Sequence, residues 1–154
     1  MCFLQKEVMR LGISRQVVII SEYLSQLDLY SLANACDVYL SLHRGEGFGL
    51  GIAEAMQLSK PVVVTEYSAP LEFCNEDTAL LVPCRIAVMK GDALATQMGQ
   101  CAEPDIDAAA MALRRLHGNR SYAENIGNRA RLFLEKHFSD AAFKTSIQNL
   151  QGLS

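Results

Sequence analysis

Four short apolar runs recur along the chain, and what lies between them has the spacing of helices. "QVVII" (16–20), "DVYLSL" (37–42), "PVVVT" (61–65) and "ALLVP" (79–83) are too short for helices, and two of them, the first and third, are rich in β-branched residues. Continuous runs of this kind mark strands covered on both faces rather than strands with one wet side. The segment "SQLDLYSLANAC" (25–36) separates the first two, with Ser25 and Asp28 as an N-terminal cap and apolar residues at Leu29, Leu32 and Ala33. A second helix is expected between the middle two, beginning near Gly51. Strand and helix alternating at this interval predict βαβ units, and so an α/β fold: a Rossmann-like parallel sheet flanked by helices.

The rest of the chain fits around that frame. "MCFLQKEVMRLG" opens it with Phe3, Leu4, Val8 and Leu11 at helical spacing and Gly12 as a stop. From Cys84 to Glu103 no periodicity holds, which predicts a long loop. "PDIDAAAMALRRLHG" then has helix-start chemistry at Pro104 and Asp105 and closes at Gly118. "SYAENIGNRARLFLEKHF" and "SDAAFKTSIQNLQ", the latter capped by Ser139, predict two more helices in a helical C-terminal tail. With no internal repeat, residues 1–154 read as a single domain.

Composition narrows the function classes. The formal net charge is −3, and a strip of phosphates would ask for a concentrated excess of Lys and Arg, so a nucleic-acid partner is not expected. Arg114, Arg115, Arg120, Arg129, Arg131 and Lys136 do gather in the helical tail. They read first as the solvated face of amphipathic helices, with peripheral contact to a membrane surface as the alternative. No apolar run approaches the ~20 residues that span a bilayer, and the start is charged too early for a secretory signal, which predicts a cytoplasmic protein. The five cysteines are odd in number and never spaced as Cys-x-x-Cys, so reduced thiols and no metal site are expected.

The chemistry concentrates in "HRGEGFGLGIAEAM" (43–56). Glycines stand at 45, 47, 49 and 51, and Glu46 and Glu54 lie eight residues apart. The second strand delivers this stretch to the carboxyl edge of the sheet, where open α/β folds bind ligands. It is not a dinucleotide fingerprint, because counting from Gly45 or Gly47 the third glycine position holds Leu50 or Ile52, and no Gly-x-x-x-x-Gly-Lys occurs. What remains is a turn with unshielded amides at Gly47, Gly49 and Gly51 running into a helix N-terminus, a setting that welcomes a diphosphate. Carboxylates beside such a subsite find their partners in hydroxyl groups. Together these residues suggest a nucleotide-sugar cradle. The plainer alternative is a tight turn with Glu54 merely suiting a helix start. Phe48 reads first as a packing side chain, with a base-stacking platform as the alternative, and His43 either meets substrate or is structural.

"EGFGLGIAEAM", "SKPVVVTEYSAPLEF" and "TALLVP", in that order, resemble the Glu-x7-Glu segment and its sequel in the retaining glycosyltransferases of family 4, which have the GT-B fold. The resemblance runs from about Val17 to Phe138. It implies the C-terminal, donor-binding half of such an enzyme, with an N-terminal acceptor-binding domain as its missing partner. By resemblance Glu46 contacts the transferred sugar and is catalytic, and Glu54 binds the ribose hydroxyls. The amides of Gly47, Phe48, Gly49, Leu50 and Gly51 hold the sugar and diphosphate, and the base lies near Ile20 and Ser21. The reaction implied is retaining hexosyl transfer from a UDP-, GDP- or ADP-linked sugar to a glycan or lipid-linked acceptor, with no metal and no further cofactor, in a bacterial setting. The sequence departs from the family in two places. Neither Arg44 nor Lys60 matches the basic pair that relatives carry earlier in the domain, and "YSAPLEF" replaces a glycine-rich loop. The chain alone is therefore expected to be nearly silent in catalysis. The alternative is a non-catalytic nucleotide-sugar binding module working with a partner chain.

Overall fold

The computed structural model describes residues 2–88 and 99–138, and the chain divides into two compact units, residues 1–30 and 31–154. In the first unit α1 (Phe3–Arg10) forms on the expected helical spacing. Cys2 N–H donates to Gln5 Oε1 at 2.9 Å, and Gly12, at φ +68°, turns the chain out of the helix. The expected strand at Gln16–Ile20 does not form. Val17–Ile20 make no ladder, and Val18 is 86 % exposed. β-branched residues favour a pleated surface only where a neighbouring strand supplies the hydrogen bonds and the packing. Ser25 and Asp28 form the expected reciprocal cap: Asp28 N–H donates to Ser25 Oγ at 3.2 Å and Ser25 N–H to the Asp28 carboxylate at 3.3 Å. They start α2 (Gln26–Ala35).

The second unit is built on a parallel sheet of β1 (Tyr39–Ser41), β2 (Val62–Thr65) and β3 (Leu80–Val82), in that spatial order. Tyr39 pairs with Val62, and Val63 with Leu80. β1 leads into α3 (Leu50–Gln57), β2 into a short 3-10 turn (Ala69–Glu72), and β3 into an antiparallel pair, β4 (Cys84–Val88) with β5 (Gln100–Pro104). The hairpin corrects the expected loop at 84–103: no period-2 alternation announced β4, and residues 89–98 lie outside the described residues. α4 (Ile106–Gly118) starts on Asp105, whose carboxylate accepts from the amides of Asp107 and Ala108, both at 3.0 Å. α5 (Arg120–His137) starts on Asn119. The helix expected from Ser139 onward lies outside the described residues.

Both faces of β2 are covered, so its four residues are fully buried. Val62 and Val64 join Ile52, Ala55 and Met56 of α3 and Ala130 and Leu134 of α5. Val63 points the other way, to Ala109 and Leu116 of α4 and Ile126 of α5. A continuous apolar run in the sequence is thus a central strand sandwiched between helices. Among the described residues no helix is long and apolar enough to cross a membrane.

Candidate functional site

Parallel strands with helical returns bring their carboxyl ends to one edge, and here the loops after β1 and β2 meet at that edge. Ser68 Oγ, after β2, donates to the backbone carbonyl of Glu46, after β1, at 2.7 Å. Ser68 holds φ at +71°, which a non-glycine residue adopts at a cost of order 1–3 kcal/mol. His43 Nε2 bonds the carbonyl of Tyr67 at 3.0 Å, and a carbonyl only accepts, so Nε2 carries the proton. Nδ1 hydrogen-bonds with Ser41 Oγ at 3.2 Å. His43 therefore staples the same two loops, in line with a structural role.

The helix start is set by Gly49, which caps α3 at φ +87°. A Cβ there would lie 3.0 Å from Pro70 Cγ and 3.2 Å from Ile52 Cδ1, so the left-handed turn and the close approach of the 3-10 turn both require glycine. The Gly49 carbonyl accepts from Ile52 and Ala53 N–H, both at 3.0 Å. The amides of Leu50 and Gly51, ahead of them, find no acceptor among the described residues. The amide of Gly47 is taken by the carboxylate of its neighbour Glu46, at 3.0 Å. Glu46, Gly47, Phe48, Leu50 and Glu54 are exposed at this edge. The Phe48 ring lies 5.5 Å from that of buried Phe73, in keeping with a packing role.

Sequence reasoning missed Tyr39. Its hydroxyl reaches the first turn of α3, where a Cβ on Gly51 would stand 2.6 Å from Oη. Burial, followed by the carboxylates of Glu46 and Glu54, raises this phenol above its ordinary value. One hydroxyl thus senses both glutamates. The only signal for it was a tyrosine in a strand whose helix begins with an unexplained small residue. Ser68 was missed as well, since nothing in "YSAPLEF" betrays a positive φ.

A family model described as glycosyl transferases group 1 matches residues 4–118. The chain belongs to the group 1 glycosyltransferases. It is 33 % identical over 115 residues to a protein described as glycosyltransferase 45 of the Sulfolobus islandicus filamentous virus. That match covers 71 % of this chain and 32 % of the viral protein. Among solved structures, sucrose-phosphate synthase of Thermosynechococcus elongatus superposes with a TM-score of 0.69 at 21 % identity, over 97 % of this chain and 33 % of that one. Anabaena HepE, solved with UDP and glucose, gives 0.68 at 19 % identity over 98 % of this chain and 36 % of its own. The C-terminal domain of the group 1 glycosyl transferase LpcC of Francisella tularensis gives 0.66 at 20 % identity, over 89 % of this chain and 61 % of that one. The fold is that of one GT-B half, and the chain spans about a third of the viral relative and of the synthase.

In this group 1 domain the second unit collects Glu46, Gly47, Phe48, Gly49, Leu50, Gly51 and Glu54 on a single turn and helix start. Ile20 and Ser21, assigned to the base by resemblance, belong to the first unit, and the site described rests on the second alone. No group of three metal-binding side chains gathers among the described residues.

Proposed function

We propose that this chain is the nucleotide-sugar donor-binding half of a retaining glycosyltransferase that transfers a hexosyl group to a glycan or lipid-linked acceptor. The observation that carries the reading is the start of α3: free amides at Leu50 and Gly51 beside two exposed glutamates that both act on the Tyr39 hydroxyl. Amides and the positive helix end suit a diphosphate, and the carboxylates suit sugar and ribose hydroxyls. Glu46 is the catalytic group, Glu54 the ribose ligand, and Ile20 and Ser21 flank the base. Stabilisation of the leaving diphosphate by backbone amides and the helix dipole would let the reaction run without a metal. Solved relatives described as complexes with UDP and with UDP-glucose support a nucleotide-linked donor. The chain's span of about a third of the viral relative and of the synthase supports an acceptor domain as partner, and the 154 residues alone are nearly silent in transfer.

Titration calorimetry of the 154-residue chain with UDP-, GDP- and ADP-glucose tests this, with the same mixtures assayed for transfer to added glycans. One nucleotide sugar binds, Glu54→Ala weakens it about tenfold or more, as the loss of a charged hydrogen bond predicts, and no product accumulates. Absence of binding to all three, or binding indifferent to Glu54, overturns the reading.

A further inference from the structure

The β4–β5 hairpin has no place in the donor-site reading so far, yet it is fastened to the site's own loop. Cys101 and Ala102 of β5 are 3 % and 0 % exposed. Ala102 N–H donates to the backbone carbonyl of Arg44 at 2.7 Å. The Arg44 guanidinium turns back onto the same strand, to Cys101 Sγ at 3.3 Å and to the Glu103 carboxylate. Cys84, at the base of β4, bonds the carbonyl of Glu66 in the loop after β2, at 3.6 Å. The hairpin thus touches both loops of the carboxyl edge, and Asp105 N–H closes its base on the Pro83 carbonyl at 2.8 Å.

Arg44 stands two residues before Glu46, and the glycines on either side of Glu46 are unsupported: a Cβ at Gly45 or Gly47 would meet nothing within 4 Å. On the side where a side chain would stand, both positions face open space. The Glu46 backbone is held at its own carbonyl by the Ser68 hydroxyl, and through its neighbour Arg44, whose carbonyl and guanidinium both bind the hairpin. We propose that the Arg44–Glu103 pair is a positioning device by which the hairpin sets the Glu46 turn, making the hairpin a determinant of how the sugar, rather than the nucleotide, is held. The proposal rests on the donor-site reading. An exposed ion pair adds little to global stability, so its effect is local.

The test compares the wild-type chain with Glu103→Gln, Arg44→Ala and the charge-swapped Arg44→Glu/Glu103→Arg, by amide hydrogen exchange and by titration with UDP and UDP-glucose. In the single variants, exchange at residues 45–48 quickens about fivefold, the scale of one surface pair, while thermal stability shifts by only a few degrees. UDP-glucose affinity falls by a similar factor, UDP affinity is unchanged, and the charge swap restores both exchange and sugar affinity. Unchanged exchange at 45–48 overturns the proposal, as does an equal loss of UDP and UDP-glucose, which would mark the pair as merely structural. If the wild type binds neither ligand, the donor-site reading is what has failed, and the exchange result alone decides whether the hairpin sets the turn.

Discussion

Gly49 is the residue on which the site turns. Its φ of +87° is disfavoured for an L side chain by about 1–2 kcal/mol, and an added methyl would press on Pro70 and Ile52. Pro70 is buried in a 3-10 turn and its ring has little freedom to give way. Gly49→Ala should therefore cost about 2 kcal/mol in urea unfolding, the strain plus a modest overpacking term. It should abolish nucleotide-sugar binding beyond what that loss explains, because re-aiming the cap turns the Leu50 and Gly51 amides away from the ligand. Gly45→Ala is the control: open space surrounds that Cβ and φ is ordinary, so stability should stay within about 0.5 kcal/mol. The four alternating glycines were visible in the sequence as a set. Which one is indispensable was not, because sequence spacing carries neither a backbone angle nor the approach of Pro70 from another loop.

The helices and strands became legible to different degrees, for physical reasons. α4 was readable to its first residue, since a cap is local chemistry: Asp105 meets amides two and three residues on. The β4–β5 hairpin was not, because its support is tertiary, from Arg44 some sixty residues earlier in the chain. "QVVII" failed in the opposite sense, with local propensity but no ladder partner. The docking of α5 on the α3–β2 connection was equally silent in sequence. There Gly127 lies so close that an added Cβ would stand 2.0 Å from the Ser59 carbonyl oxygen and 2.8 Å from its carbon. Arg131, one turn on, donates to Ser59 Oγ at 3.1 Å. Alanine would gain about 1 kcal/mol of helix propensity in isolation. In this interface the obstacle is backbone, and α5 must lift its Ala130 and Leu134 away from the α3 and β2 residues they join in the core. Gly127→Ala should lower stability by about 2–3 kcal/mol net, measured as a fall in the urea midpoint with an unchanged slope. A neutral or stabilised variant would mean that α5 is not seated on that loop.

At the scale of the whole second unit, the sheet and its two apolar layers are what the strand runs foretold, while the burial of individual polar groups is what they could not. Cys74 is such a group: it lies at 1 % exposure behind Phe73, its Sγ 3.9 Å from Met56 Sδ. With no charge or donor to stabilise a thiolate, burial pushes the thiol from 9.0 up to about 12. The native state then keeps its proton between about pH 9 and about 12, while the unfolded chain loses it. The unfolded state binds fewer protons in that window, so stability falls as pH rises through it, with a limiting slope of about 1.4 kcal/mol per pH unit, and the effect is absent at pH 7. Tyr39, raised by burial and by Glu46 and Glu54, acts in the same direction above its ordinary 10.0. Urea unfolding at pH 8, 9 and 10 separates the two groups: Cys74→Ala should cost about 1 kcal/mol at pH 7 through lost packing, yet decline less steeply than the wild type above pH 9. Parallel declines would place the Cys74 thiol in contact with water and open the core between α3 and the 3-10 turn.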